Sequence, residues 1–352
     1  MLTKNSYIAL DMFTPFISQV NTSLLKKLCS YFESIDVDFE ILSMEQETKQ
    51  VSYQSLQNEK FIDDHLKQEI TLLSNYKRVT FQSNNTKFNL EFYYHSKDNL
   101  DTLIHVLVYA LSFTSKVGPH KVKELTIKYY LLDTKRVFDN DTYFDKEEVN
   151  GGACWSSPTE CDITVWRKEE IVKVTVHELI HGLSYDYKHD TSDIIQHYQS
   201  KYGITSPKMN TFEAYTEIFA ELIHCYILTK FINYLYPKVS PCNLFSFMVS
   251  IEHQFSQMQA SKVLDLLQHN KDVNKETNVT AYYLIKTEIY NDLHNFLTFC
   301  FNNNQTIIKI KDIPKYFNYL KRLKKVVKKK YKTKNQYLKN TTRMTCLELD
   351  LF

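Results

Sequence analysis

The chain has 352 residues, of which 43% are apolar, enough to close one large or two ordinary hydrophobic cores; 43 basic residues against 41 acidic ones leave a formal net charge of only +2. Five glycines and seven prolines argue against a flexible multi-module chain, and neither a G-x-x-x-x-G-K-[ST] nor a G-x-G-x-x-G phosphate loop occurs. The opening MLTKNSYIALDMFTPFISQV lacks the basic start, apolar run and cleavage site of a signal peptide, and the most apolar stretch, 103–113, is too short to span a bilayer.

Seven cysteines, odd in number and scattered, suit reduced thiols in a cytosol. Cys154 and Cys161 could pair or bind metal, but no second C-x-x-C partner exists, so they read as structural thiols. These features predict a soluble, intracellular, non-secreted protein with no membrane span.

Residues 1–96 read as an N-terminal mixed α and β region. Residues 37–44 alternate like a strand, 59–76 have helical periodicity, and 79–94 predict a hairpin turning at Asn84-Asn85. No chemistry is visible there. In the next region, 97–303, residues 100–114 predict an apolar helix and 125–132 a strand rich in Ile, Tyr and Leu. The loop Asn150-Gly151-Gly152-Ala153-Cys154-Trp155 is either a plain turn or a place where backbone approaches a ligand closely. Residues 161–166 predict a second strand.

Directly after it comes WRKEEIVKVTVHELIHGLSYDY, residues 166–187, whose apolar positions recur with helical spacing and which contains His177-Glu178-Leu179-Ile180-His181, the pattern H-E-x-x-H. Residues four apart on a helix lie one above the other, so both imidazoles project from one face and can share a zinc ion, with Glu178 beside them as general base. Glu169 and Glu170 are expected in the first turn, where the helix dipole favours acids.

Residues 211–226, TFEAYTEIFAELIHCY, predict a second such helix. Along it Glu213, Glu217 and Glu221 stand at i, i+4 and i+8, and three acids on one face repel each other unless something positive neutralises them. A metal would do so.

Here the sequence resembles the gluzincin branch of the zincin metallopeptidases, whose third zinc ligand is a glutamate on a later helix, written E-x-x-A-D or E-x-x-A-E. Glu217-Ile218-Phe219-Ala220-Glu221 fits that form and is similar to the corresponding helix of anthrax lethal factor-type peptidases. The resemblance implies that His177, His181 and Glu217 bind Zn2+ and that Glu221 orients a ligand histidine. Glu213 is the alternative ligand, since Glu213-Ala214-Tyr215-Thr216-Glu217 can be laid on E-x-x-S-D. It also implies an α+β fold with a zincin-like catalytic domain: a small mixed sheet, an active-site helix, a glutamate helix and a helix-rich C-terminal half. The strand at 161–166 would be the sheet edge that pairs with an extended peptide or protein substrate. A metzincin would place a glycine and a histidine where Ser184 and Tyr187 stand.

Residues 243–269 and 278–302 predict long helices. Gluzincins often use a downstream tyrosine or histidine to donate to the oxyanion, and Tyr282 and Tyr283 are the candidates here. His189, His197 and His224 read as surface or satisfied core histidines.

Residues 304–352 read as a basic C-terminal tail. Eleven lysines and arginines and no acid lie between Lys315 and Lys339, leaving 32 basic residues against 41 acidic ones elsewhere. Such a run could attach to nucleic acid or an anionic surface, with the interleaved Tyr316, Phe317, Tyr319, Tyr331 and Tyr337 stacking on bases, or dock on the chain's own acids. Composition and the motif setting are similar to uncharacterised H-E-x-x-H proteins of large DNA viruses. The leading expectation is therefore a zinc-dependent metalloendopeptidase. The alternative is a nucleic-acid-binding or virion structural protein with an inactive zincin fold.

Overall fold

A computed structural model describes residues 1–17, 23–138, 144 and 146–352. Among them the sheet has six strands: β1 Glu40–Thr48, β2 Asn75–Ser83, β3 Thr86–Tyr94, β4 Glu124–Tyr130, β5 Gly152–Ser156 and β6 Glu160–Val165, in the order β1-β2-β3-β4-β6-β5. The fold is α+β. Two compact units share the chain, one of Ile35–Arg136, Asn150–Tyr185 and Leu351–Phe352, the other of Met1–Ser34, Val137–Val149 and Asp186–Asp350.

The first unit holds the sheet. Asn84 and Asn85 take left-handed backbone, φ 50° and 62°, which asparagine tolerates, and so join β2 to β3 as the expected tight hairpin. The helix Asp101–Val117 carries the chain from β3 to β4, which lie parallel and pair Phe88 with Leu125, Leu90 with Ile127 and Phe92 with Tyr129. These side chains alternate onto one face and are buried there, with Phe92 stacked on Tyr129 at 4.8 Å, so this face of the sheet centre is covered.

Two expectations fail in this unit. Only Asp64–Thr71 of residues 59–76 is helical, because Asn75 and Tyr76 already belong to β2; Leu66, Ile70 and Tyr76 all enter one core with Trp166. The strand expected at the sheet edge, β6, is interior, between β4 and β5. The edge is β5, formed by the segment read as a glycine loop.

The second unit is helical. It contains Lys4–Phe13, Ser23–Glu33, Ser192–Tyr202, Phe212–Leu235, Pro241–Leu266, Leu293–Asn303 and Ile313–Arg322. The helix expected over 278–302 is broken into a π turn, Thr280–Ile285, a short helix, Lys286–Asn291, and a third piece after Asp292, whose φ of −123° leaves the helical region. A disulfide joins Cys29 to Cys242, Cα atoms 5.5 Å apart, where reduced thiols were expected. Linear spacing carries no information about which distant segments meet.

The basic segment is no solvated appendage. Tyr316, Phe317 and Leu320 are buried on one side of Ile313–Arg322, and Tyr316 packs on Phe212 and Tyr215 at 5.2 and 5.5 Å. Those aromatics fill the core and are closed to bases, while Lys324, Lys325 and Lys328 to Lys330 stay exposed. Residues Thr341 to Leu347 run buried, with the Glu252 carboxylate accepting from the amides of Cys346 and Leu347 at 2.9 and 2.8 Å. Among the described residues one helix, Phe212–Leu235, is long and apolar enough to cross a membrane, and 67% of its most apolar window is buried.

Candidate metal centre

The motif helix spans Ile171–Gly182 and follows β6 through a tight elbow. Glu169 and Glu170 precede the helix and are not part of its first turn. Glu170 has φ 59°, a left-handed conformation that costs a non-glycine residue about 1 kcal/mol. Buried contacts hold it there: the Glu170 carboxylate is ion-paired to Arg136 and faces Lys173 at 3.9 Å, and Glu169 accepts from the Arg136 amide at 2.7 Å. The helix ends at Ser184, also left-handed at φ 53°, where the amides of Ser184 and Tyr185 donate to the carbonyls of His181 and Ile180. The Tyr185 hydroxyl then donates to the Gly118 carbonyl at 2.6 Å.

Between these fixed ends His177 and Glu178 are buried and His181 is half-buried. The Nε2 atoms of His177 and His181 stand 3.1 Å apart, with their rings at 75°. Two nitrogens each bound to zinc at about 2.0–2.1 Å in a tetrahedral set would lie about 3.3 Å apart, so the pair fits one small divalent cation. Glu178 reaches over the sheet edge. A Cβ placed on Gly152 of β5 would lie 2.8 Å from Glu178 Cγ and 2.9 Å from its Oε1, so this carboxylate occupies space that only glycine leaves open.

The helical unit disposes of the three stacked glutamates in two ways. Lys286 Nζ is ion-paired to Glu221, stands 3.8 Å from Glu217 and donates to the Met344 carbonyl at 2.8 Å. Both glutamates and the lysine are fully buried. Burial pushes Glu221 up to about 8 against the pull of Lys286, and Tyr290 also donates to it. Burial works against the ammonium of Lys286, and Glu221 and Glu217 more than offset it, so that Lys286 titrates above the ordinary lysine value. Glu213 is different. Its carboxylate is only half-buried and accepts from the Tyr282 hydroxyl at 3.1 Å and from Asn210 at 3.4 Å. One turn earlier, Asp190 anchors Thr211 through two 2.8 Å bonds, and burial pushes Asp190 up to about 6.

No family model, curated protein or solved structure matches the chain.

A positive partner for the glutamate helix is Lys286, ion-paired to Glu221 and 3.8 Å from Glu217. Of the two tyrosine candidates, Tyr283 is buried and donates to the Thr342 carbonyl with its ring edge on Phe144, whereas Tyr282 is half-buried and touches Glu213. His224 is buried, with its Nε2 2.8 Å from the Leu347 carbonyl. Sequence reasoning missed Lys286, Arg136 and the role of Gly152. The one available signal was a charged residue inside an apolar helical run, at Lys286.

Proposed function

We propose that the protein is a metal-dependent peptidase in which His177 and His181 hold one divalent cation, zinc by the character of the donors, and Glu178 is the general base. Of the two third-ligand candidates read from the sequence, Glu213 is the better one, because Glu217 is buried with Lys286 whereas Glu213 keeps a half-exposed carboxylate. The single observation that carries the reading is the 3.1 Å approach of the two Nε2 atoms on a helix whose intervening Glu178 lies against the sheet edge. A cation bound there supplies a Lewis acid and makes water acidic near neutral pH.

The chain's own groups supply the rest. Glu178 accepts a proton from the attacking water and returns it to the leaving amine. Tyr282 holds one oxygen of Glu213, fixing the direction of the other. As the end strand of the sheet among the described residues, β5 is the strand that would pair with an extended peptide, with recognition of chain shape over side-chain identity. A zincin-like arrangement of sheet edge and motif helix is part of this proposal.

Glu178→Gln is the test. The variant should keep its metal by elemental analysis and lose peptide cleavage about a hundredfold or more. Cleavage at the wild-type rate would remove the base and the reading with it.

A further inference from the structure

Cys154 on β5 and Cys161 on β6 are not bridged, yet their sulfurs stand 3.4 Å apart. The strands pair Cys154 with Ile163 and Ser156 with Cys161, so the two thiols are diagonal neighbours on one face of the sheet edge. That face lies on the motif helix. A Cβ on Gly182, the residue after His181, would meet Cys161 Sγ at 2.4 Å and Cys154 Sγ at 3.4 Å. Since side chains alternate along a strand, Gly152 and Cys154 point the same way, one beside Glu178 and the other beside Gly182 of this helix.

We propose that Cys154 and Cys161 form a reversible modification site, a dithiol that closes to a disulfide by exchange with a low-molecular-weight disulfide and in closing shifts the sheet edge against the motif helix. Cys154 is the half-exposed member and Cys161 the buried one, which sets the order of events. The Cys154 thiolate attacks one sulfur of the small disulfide, forming a mixed disulfide and expelling one small thiolate. The Cys161 sulfur then attacks the Cys154 sulfur and expels the second. Two protein thiols lose two electrons and two protons, and the small disulfide becomes two thiols. Closure draws the sulfurs from 3.4 Å to about 2.05 Å directly beside Gly182, where there is no room for even a Cβ. The chain already carries one bridge in the helical unit, Cys29–Cys242, with Cys29 buried and Cys242 half-buried.

The chemistry stands on the two sulfurs alone, whereas its effect on hydrolysis rests on the proposed peptidase reading. The test equilibrates the whole protein in glutathione buffers of graded ratio, quenches by alkylation and maps the peptides by mass. The Cys154–Cys161 bridge should form in excess oxidised glutathione and open in excess reduced glutathione, with Cys29–Cys242 closed throughout. Cys161→Ser should stop at glutathione on Cys154, and Cys154→Ser should take up none. Wild-type protein that accumulates glutathione on Cys154 without bridging, or keeps both thiols, overturns the proposal. For the coupling, oxidised wild type should cleave peptide at least about tenfold more slowly and recover on reduction, while the doubly substituted Cys154→Ser, Cys161→Ser protein ignores oxidant. An oxidised, bridged protein cleaving at full rate overturns the coupling. Reduced, metal-loaded protein that cleaves nothing overturns the peptidase reading instead, and the map still reports the bridge.

Discussion

The Glu178 carboxylate lies where the side chain of residue 152 would be, 2.9 Å from the position of a Cβ on Gly152. The same Cβ would meet Val174 Cγ1 at 2.7 Å, so neither neighbour can yield without moving the motif helix or the sheet edge. Gly152→Ala should therefore cost about 1–3 kcal/mol of stability by overpacking. It should also reduce cleavage about a hundredfold while metal stays bound, because the base is displaced and the imidazoles are not. Urea titration, elemental analysis and a peptide assay on one preparation check the three parts. Wild-type cleavage in this variant would show that Glu178 does not need its present position.

The two candidate third ligands respond oppositely to substitution. Glu213→Gln should lower metal occupancy at limiting metal and leave the urea midpoint of the metal-stripped protein nearly unchanged, since its carboxylate is half-exposed. Tyr282→Phe, which removes the hydroxyl that holds Glu213 at 3.1 Å, should weaken metal binding about 10–100-fold. Glu217→Gln should keep the metal and change stability instead. Metal lost from Glu217→Gln and kept in Glu213→Gln would return the third ligand to Glu217.

Lys286 is the cation on which the acidic core of the helical unit depends. Lys286→Ala leaves Glu217 and Glu221 buried without it, and breaking a buried pair from one side costs about 3–5 kcal/mol. Adding Glu221→Gln to Lys286→Ala should recover part of that loss, since it removes the carboxylate ion-paired to Lys286 and leaves only Glu217 without its cation. Chemical denaturation of both variants measures the difference, and equal stability of the two would mean that Glu221 is not the charge that Lys286 compensates.

Features that one local signal determines were legible in the sequence. Two adjacent asparagines made the β2–β3 turn, a long apolar run made Asp101–Val117, and four-residue spacing put His177 and His181 on one face. Features that depend on what arrives from elsewhere were not. β5 looked like a loop because Gly151 before it and Gly152 at its start answer to Arg136 and Glu178 and not to any turn of their own. The stacking of Glu217 and Glu221 suggested a metal, and the lysine beside them, Lys286, comes from a distant helix that no local spacing announces. The basic run was read by its charges, although Tyr316, Phe317 and Leu320 already carried the spacing of a packed helix face.

A lysine in the helical unit sets the last expectation. Lys262 donates to the carbonyls of Leu338 and Thr341 at 2.8 and 2.7 Å, with no carboxylate paired to it among the described contacts, and burial lowers its pKa to about 7. In the unfolded chain the ordinary lysine value, 10.5, applies. Between these values the unfolded state holds a proton that the folded state lacks, so this group makes stability rise with pH from about 7 towards 10.5. Below about 7 both states are protonated and the folded one bears the full cost of the buried charge. Lys262→Met removes the titration and should flatten that slope, narrowing the gap between the melting temperatures at pH 7 and pH 9 relative to wild type. An unchanged gap would mean that Lys262 reaches solvent in the folded protein and keeps an ordinary proton affinity.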